Sequence, residues 1–196
     1  MKFIISLQGG MAVGKTTLAR NLEKKYKNLH VFYENPYPIV QKRKELNLDI
    51  RKKEGFVHNQ RLFIQAEIER FKTLPEGIVL LDRGPEDIEF YTLHFPKSIG
   101  ENWDIETELN QELQELRNCR SNLILYLDAP VEILRERKKT DKTRSRNSFE
   151  EQLKFYNQEK NWYKHFSTTM ILDVGFKTEL EVEESIAEIL HKKNFQ

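Results

Sequence analysis

The sequence is poor in cysteine, has no long apolar run and has no excess of charge of one sign. Cys119 is the single cysteine among 196 residues, so no intrachain disulfide can form and a reducing compartment is expected. No other metal-ligating residues cluster with it, which favours a structural thiol. No apolar stretch approaches the ~20 residues of a membrane-spanning helix, and the run at residues 3–7 is too short for a secretory signal. We therefore expect a cytoplasmic protein without a membrane partner.

The charges of the chain nearly cancel, with 32 lysines and arginines against 31 aspartates and glutamates. A surface that binds nucleic acid over a wide area needs a basic excess, so no nucleic-acid partner is expected. The length suits one domain with a real hydrophobic core and is short for two. We therefore interpret residues 1–196 as a single domain.

The most informative motif lies at residues 9–16, GGMAVGKT, and matches the phosphate-binding pattern G-x-x-x-x-G-K-[ST] at every fixed position. A strand-type run precedes it and a helix start follows it. Glycine permits backbone angles that point N–H groups at a phosphate, and the helix N-terminus adds partial positive charge. Lys15 is expected to reach the β- and γ-phosphates of ATP or another nucleoside triphosphate, and the Thr16 hydroxyl to bind Mg²⁺. The predicted nucleotide-binding residues are Gly9, Gly10, Met11, Ala12, Val13, Gly14, Lys15, Thr16 and Thr17.

Strand-type and helix-type segments alternate along the whole chain. Strands are predicted at about residues 3–7, 29–34, 78–81, 122–127 and 170–172. Helices are predicted at about residues 15–27, 56–74, 86–94, 105–117, 131–137, 149–166 and 180–191, with a loop at 95–104. This alternation predicts an α/β three-layer sandwich with a five-stranded parallel sheet of the P-loop kinase type.

Ligands of such folds bind at the carboxyl ends of the strands. That rule brings the P-loop, Glu34, Asp82-Arg83 and Asp128 to one crevice, because each follows an apolar strand. Asp82 occupies the usual position of a carboxylate that holds Mg²⁺. Asp128 competes for this role, although capping of the next helix is the favoured interpretation.

Glu34 is the best candidate for a general base, because it ends a strand and Asn35-Pro36 keeps its backbone extended. A solvent-facing glutamate is the alternative. Gln60 lies in the predicted helix at 56–74, where it either pairs with a planar ring or sits at the edge of the core. Spacing alone favours the second possibility.

A polar, basic loop at about residues 138–147 contains Arg144 and Arg146. As a closing lid, it would bring guanidinium groups to a transferring phosphoryl group and exclude water. A solvated basic loop is the alternative for each arginine. On the preceding helix, Arg135 and Arg137 are expected to differ, with one pointing inward and one outward.

In order and approximate spacing these motifs resemble the deoxynucleoside kinase family, within the P-loop nucleoside and nucleotide kinases. The resemblance spans most of the chain and rests on residues 9–17, Glu34-Asn35-Pro36, Gln60, Asp82-Arg83-Gly84, LYLDAP at 125–130 and Arg144-x-Arg146. It implies transfer of the γ-phosphoryl group of ATP to a small hydroxyl acceptor, the 5′-hydroxyl of a (deoxy)nucleoside. It also implies pairing of two subunits into a homodimer through the helices at 56–74 and 105–117.

The resemblance also implies a role for each matching residue. Glu34 would be the base for the 5′-hydroxyl, and Gln60 would pair with the nucleobase. Asp82 and Arg83 would lie near the 5′-oxygen and the transferring phosphoryl group. Arg144 and Arg146 would be the arginines of the lid.

The sequence departs from the family at three places. Gly84 stands where the family commonly has serine, Tyr37 and Ile39 are the nearest candidates for an aromatic wall of the base pocket, and the loop at 138–147 is longer than a typical lid. Two alternatives therefore stay open. One is a P-loop kinase for a nucleoside monophosphate, an antibiotic or another small metabolite. The other is a nucleotide-binding module without catalytic activity.

Overall fold

The computed structural model, which describes residues 2–140 and 149–192, has a parallel β-sheet at its centre. Its strands are β1 (Lys2–Gln8), β2 (Leu29–Phe32), β3 (Gly77–Asp82), β4 (Leu123–Asp128) and β5 (Thr169–Asp173). Their order across the sheet is β2-β3-β1-β4-β5, and every neighbouring pair is parallel. The predicted five-stranded parallel sheet is therefore confirmed.

Helices cover both faces of this sheet and form the outer layers of the predicted sandwich. In chain order they are α1 (Lys15–Lys25), α2 (Tyr37–Glu45), α3 (Lys53–Thr73), α4 (Pro85–Ser98), α5 (Ile105–Glu108), α6 (Asn110–Arg117), α7 (Val131–Thr140), α8 (Phe149–Leu153), α9 (Tyr156–Tyr163) and α10 (Glu179–Lys192). Among the described residues, no helix is both long and apolar enough to cross a membrane.

Strand β1 shows why two helical layers are needed. Successive side chains of a strand point to opposite faces, so a continuous apolar run must be covered on both sides. Ile5 and Leu7 belong to an apolar cluster with Leu22 of α1 and Ile186 of α10. Ile4 belongs to a different cluster on the other face, with residues of β3 and the end of α3. Apolar side chains on both faces thereby shield the centre of the sheet from water.

A third cluster joins the helices α3, α4, α5 and α6. Phe56 is fully buried at its centre and stacks on Phe95 with 5.1 Å between ring centroids. Leu109 and Leu113 are also fully buried in this cluster. The two helical segments through which the resemblance implies a homodimer thus bury apolar side chains within one chain. The homodimer stays a prediction.

Several element boundaries differ from the predictions. The helix expected to end before residue 95 continues to Ser98 through Pro96, because Phe95 packs on Phe56 and Tyr91 and holds this last turn in place. Strand β2 ends at Phe32 instead of residue 34. The helix predicted over 149–166 is two helices, α8 and α9, and the break at 154–155 turns Tyr156 toward the end of β4.

Gly9, the first P-loop glycine, lies unusually close to the neighbouring strand. Its φ is +120°, and a Cβ atom built on it would lie 2.2 Å from the backbone oxygen of Leu127. A side chain therefore cannot fit here unless β1 and β4 move apart. Gly100 also has positive φ, at +81°, but a Cβ there would meet no atom within 4 Å.

These two glycines provide a matched pair of substitutions. We expect Gly9→Ala to lower the free energy of unfolding by about 3 kcal/mol, because it adds a backbone collision to an unfavourable φ. Gly100→Ala should cost only about 1 kcal/mol, the backbone strain alone. Urea denaturation of both variants measures the difference. Equal losses would contradict the close approach of Gly9 to β4.

Candidate active site

The P-loop connects β1 to α1 through backbone angles that expose N–H groups. Gly9, Ala12 and Gly14 have φ of 120°, 66° and 107°. The first N–H groups of any helix lack partners within the helix, and no side-chain cap is present at Gly14 before α1. These N–H groups, together with the helix dipole, can therefore bind an anion by donating hydrogen bonds to it, so the loop fits a phosphate chain.

Lys15 of the P-loop is buried and folds back on its own loop. Its Nζ donates hydrogen bonds to the carbonyl oxygens of Gly9 at 2.5 Å and Gly10 at 2.9 Å. Burial and the positive charge of Arg83 lower the pKa of Lys15 to about 8, and Asp82 offsets part of this effect. An incoming phosphate would favour the charged form of the ammonium group and draw it from the carbonyls.

Thr16 and Asp82 are brought together by the pairing of β1 with β3. In this register Leu7 lies beside Asp82, which places the aspartate next to the P-loop. The Thr16 hydroxyl donates a hydrogen bond to Asp82 Oδ2 at 2.6 Å. A hydroxyl and a carboxylate are hard oxygen ligands of the kind that hold Mg²⁺ beside nucleotide phosphates. The donor set fits the predicted metal, with the remaining positions left to phosphate and water.

Asp128, the competing carboxylate, is engaged elsewhere. Its Oδ1 accepts a hydrogen bond from the Tyr156 hydroxyl at 2.6 Å, and its Oδ2 accepts one from Lys160. Both donors belong to α9. The aspartate therefore ties α9 to the end of β4, and this contact with α9 was not anticipated by the capping interpretation.

Arg83 and Glu34 meet at the carboxyl ends of β3 and β2. The Arg83 guanidinium binds both carboxylate oxygens of Asp87 at 2.7 Å, and its Nε lies 3.3 Å from Glu34 Oε2. Burial alone would lower the pKa of Arg83, but Asp87 and Glu34 raise it well above its ordinary value. The Glu34 side chain is 45% exposed, so an acceptor can still reach its carboxylate.

The backbone holds Arg83 in place from two sides. Its φ of 66° lies in the left-handed region that arginine rarely adopts. Its N–H donates to the carbonyl of Leu7, and its carbonyl accepts a hydrogen bond from Arg70 at 3.0 Å. Strained residues persist where the surroundings over-determine them, which is common at active sites.

Gly84 follows in extended backbone and has no room for a side chain. A Cβ built on it would lie 2.7 Å from Glu86 Oε2 and 2.9 Å from Ser6 Cβ. The fully buried Glu86 carboxylate accepts hydrogen bonds from Ser6, Gln8 and the Ser121 N–H. This packing accounts for glycine where the resembling family commonly has serine.

A cleft of about 1510 Å³ runs from the P-loop to α3. A typical pocket for one small ligand measures roughly 300–1,000 Å³, so this cleft has room for a phosphate donor and an acceptor together. Both Glu34 and Gln60 line it, as do Tyr37 and Ile39. The structure thus brings the predicted donor and acceptor residues into one continuous space.

Gln60 is buried and keeps one polar end for a ligand. The Thr92 hydroxyl lies 2.9 Å from Gln60 Oε1, while Gln60 Nε2 has no partner among the described residues. Asn59 beside it is also buried, and its Oδ1 has no described partner. Both residues line the cleft. Unpaired buried amides are costly unless a ligand or water satisfies them, so this wall is suited to a ligand with polar edges.

Sequence reasoning missed three charged residues of the cleft. Glu67 and Arg70 form a partly buried ion pair at 2.5 Å on the same helix as Gln60. Burial raises the pKa of Glu67, while Arg70 opposes that rise. The seven-residue spacing from Gln60 to Glu67 places them on one helical face, which could have revealed the glutamate. Asp87, which binds the Arg83 guanidinium, is the third.

Arg137 joins two walls of the cleft at its P-loop end. Its guanidinium donates to the carbonyl oxygens of Val174 at 2.7 Å, Gly175 at 3.2 Å and Val13 at 3.2 Å. Arg135 instead forms an exposed ion pair with Glu150. The expected contrast between an inward and an outward arginine is therefore observed.

The predicted lid falls mostly outside the description. Arg144 and Arg146 lie outside the described residues, and their roles stay predictions. Residues 138–140 complete α7, so the first part of the expected loop is helical. Within the described ranges, no group of three or more histidine, cysteine, aspartate or glutamate residues is arranged to hold a metal ion.

The two arginines of α7, Arg135 and Arg137, allow a controlled test of nucleotide binding at the P-loop end of the cleft. We expect Arg137→Ala to weaken binding of MgADP about tenfold, because it removes the hydrogen bonds that tie Val13 of the P-loop to Val174 after β5, and bonds from a charged group contribute about 1.5–3 kcal/mol. Arg135→Ala should change the affinity less than about twofold, since exposed ion pairs contribute little. Titration calorimetry measures both. Loss of affinity in the Arg135 variant alone would contradict this assignment.

The fold and parts of the sequence are shared with known proteins. A thymidylate kinase from Candida albicans shares the fold at a TM-score of 0.63 and 19% identity, over 99% of this chain and 93% of that one. A deoxyadenosine kinase from M. mycoides does so at a TM-score of 0.67 and 17% identity, over 98% and 99%. A search of curated protein sequences finds no match. A family model described as an AAA domain, AAA_28, matches residues 4–178. This match covers most of the chain, which therefore belongs to the AAA_28 family.

Proposed function

We propose that the chain is an ATP-dependent kinase that transfers the γ-phosphoryl group to the 5′-hydroxyl of a (deoxy)nucleoside. The observation that carries the proposal is the single cleft that contains the P-loop, the Glu34–Arg83 pair and the unpaired amide of Gln60. A phosphate cradle, a base and a polar wall for a planar ring are what such a transfer requires.

The donor half of the mechanism rests on the P-loop. ATP supplies the transferable phosphoryl group, and Mg²⁺ supplies charge neutralisation when both are bound. The P-loop N–H groups would hold the phosphates, and Lys15 would contact their outer oxygens. Thr16 and Asp82 would hold the metal ion. These residues position the phosphoryl group and stabilise charge that develops on it.

The acceptor half rests on Glu34 and Arg83. Glu34 would accept the proton of the 5′-hydroxyl as its oxygen attacks phosphorus, which makes it the general base. Arg83 holds the Glu34 carboxylate by a contact of 3.3 Å, and Asp87 fixes the guanidinium in turn. A positively charged guanidinium at this point also offsets charge on the transferring phosphoryl group.

The nucleobase of the acceptor would lie against α3. Gln60 offers an amide edge without a described partner, and Phe63 and Tyr91 also line the cleft. An amide presents both a donor and an acceptor to a nucleobase, while aromatic rings cover its faces. The two structural relatives, a deoxyadenosine kinase bound to dCMP and a thymidylate kinase, support a nucleoside-type acceptor.

A nucleoside monophosphate is a second candidate acceptor, which two basic residues favour. Arg43 and Arg51 line the cleft, and neither forms an ion pair with a described residue. An acceptor that carries its own phosphate would supply their counter-charge. Nucleosides and their monophosphates therefore belong in the same assay.

The acceptor assay tests the proposal directly. With ATP and Mg²⁺, we expect a panel of deoxynucleosides to yield at least one 5′-monophosphate, detected by chromatography. Product from monophosphates alone would favour the second candidate. No product from either class would defeat the proposal and leave two possibilities, a different small hydroxyl acceptor or a nucleotide-binding module without catalytic activity.

Glu34→Gln tests the base. We expect kcat to fall about 10²- to 10⁴-fold, because general base catalysis contributes about that much, while MgADP still binds. Glu54→Gln, an exposed position of α3, is the control and should leave kcat unchanged. Turnover of the Glu34 variant equal to that of the control would remove Glu34 from the mechanism.

Gln60→Ala tests the nucleobase contact. Loss of one or two hydrogen bonds to a buried edge should raise KM for the nucleoside about tenfold, with KM for ATP unchanged. Gln65→Ala on the exposed face of the same helix is the matched control. A change in KM for ATP but not for the nucleoside would contradict the placement of the nucleobase beside Gln60.

A further inference from the structure

Glu159 of α9 is a buried carboxyl group for which the proposed mechanism has no use. It is 8% exposed, and its carboxylate has no hydrogen bond or ion pair with a described side chain. It lines a small cavity of about 50 Å³ together with Gly9 and Gly10 of the P-loop, Arg83 and Asp87. This volume can hold a water molecule, which occupies about 30 Å³ in the liquid. A carboxyl group in such a place can exchange a proton without moving.

The charged neighbours of Glu159 come from the P-loop and from the start of α4. Lys15 and Arg83 favour its ionised form, and Asp87 disfavours it. Burial, followed by the repulsion from Asp87, raises the pKa of Glu159 to about 7.

Three tyrosines also surround Glu159. They are Tyr126 of β4 and Tyr156 and Tyr163 of α9, and burial raises the pKa of each phenol above its ordinary value. These phenols therefore stay neutral near pH 7. Unlike these phenols, Glu159 can change its charge there, whereas Lys15, with a pKa of about 8, is already mostly charged at pH 7.

We propose that Glu159 is a positioning residue of the donor site that takes up a proton when nucleotide phosphates bind to the P-loop. The inference rests on the donor half of the proposed function, not on the identity of the acceptor. Before the nucleotide arrives, the ionised carboxylate is a counter-charge for Lys15 and Arg83. The phosphates then bring negative charge to the same two cations.

Two sets of negative charge beside the same cations repel each other. Protonation of Glu159 removes one of them, because a nearby negative charge favours the neutral form of a carboxyl group. Lys15 and Arg83 are then released to act on the phosphates. By linkage, the affinity for nucleotide and the protonation of Glu159 must strengthen each other.

Titration calorimetry of the full chain with MgADP tests this coupling. Binding is measured at pH 7 in buffers of different ionisation enthalpy, which gives the number of protons taken up. We expect the wild-type protein to take up about 0.3–0.5 proton per nucleotide. Glu159→Gln, which mimics the protonated form, should take up less than about a third of that amount. Gln158→Ala, exposed on the same helix, should match the wild-type protein.

The comparison among variants cancels any proton exchanged by the nucleotide itself. Equal uptake by the wild-type protein and Glu159→Gln would overturn the proposal, as would no uptake by the wild-type protein. Failure of the nucleoside assay with proton uptake intact would remove only the proposed acceptor. The two failures are therefore distinguishable.

A second measurement needs no variant. The ¹³C resonance of the Glu159 carboxyl carbon should titrate at higher pH in the presence of MgADP than in its absence. A midpoint that stays the same or falls would overturn the proposal. This experiment remains decisive if Glu159→Gln does not fold.

Thermal unfolding without nucleotide shows whether ionisation of Glu159 raises or lowers the stability of the fold. Because the folded pKa of Glu159 lies above the ordinary value of 4.5, the stability it contributes is present at low pH and lost as pH rises through about 7. The Tm of the wild-type protein should therefore fall relative to that of Glu159→Gln between pH 6 and pH 8. A constant difference in Tm would contradict the burial-driven shift.

Discussion

The place of β1 between β3 and β4 is the constraint on which the whole site depends. Parallel pairing on both sides fixes where three chain segments emerge at one edge of the sheet. The P-loop therefore lies beside Asp82 on one side and beside the end of β4 on the other. Gly9 makes this approach possible, since its missing side chain lets the loop pass the Leu127 carbonyl. The P-loop, Asp82 and Glu34 are therefore brought together by the parallel strands that end at or shortly before them.

Charge, more than shape, organises what gathers at this edge. Lys15 and Arg83 are buried cations, and Asp82, Asp87 and Glu34 surround them with opposite charge. Burying charged groups is costly unless they are paired, so Lys15 and Arg83 depend on these oppositely charged neighbours for their stability in the fold. A substrate that brings phosphate into this cluster must displace part of that pairing.

The sequence was informative where local pattern and backbone chemistry coincide. The P-loop, the strands and the acidic residues at their ends follow from periodicity and from the rule for parallel sheets. The contacts of Asp128 and Arg137 depend on α9 and on the β5 loop, which are distant in the chain, so spacing could not reveal them. Glu159 could not be found either, because its burial results from the packing of α9 against the P-loop. The sequence predicts a loop from residue 95, whereas α4 continues through Pro96 because Phe95 packs on Phe56.

Gly84 bears on how this chain can differ from its relatives. The space that a serine side chain would occupy is taken by Glu86, whose carboxylate also bonds Ser6, Gln8 and Ser121. A serine at residue 84 is compatible only with a shorter or displaced side chain at residue 86. Because that displacement would take the carboxylate away from its three buried donors, the residue type at position 84 decides whether this internal network can form.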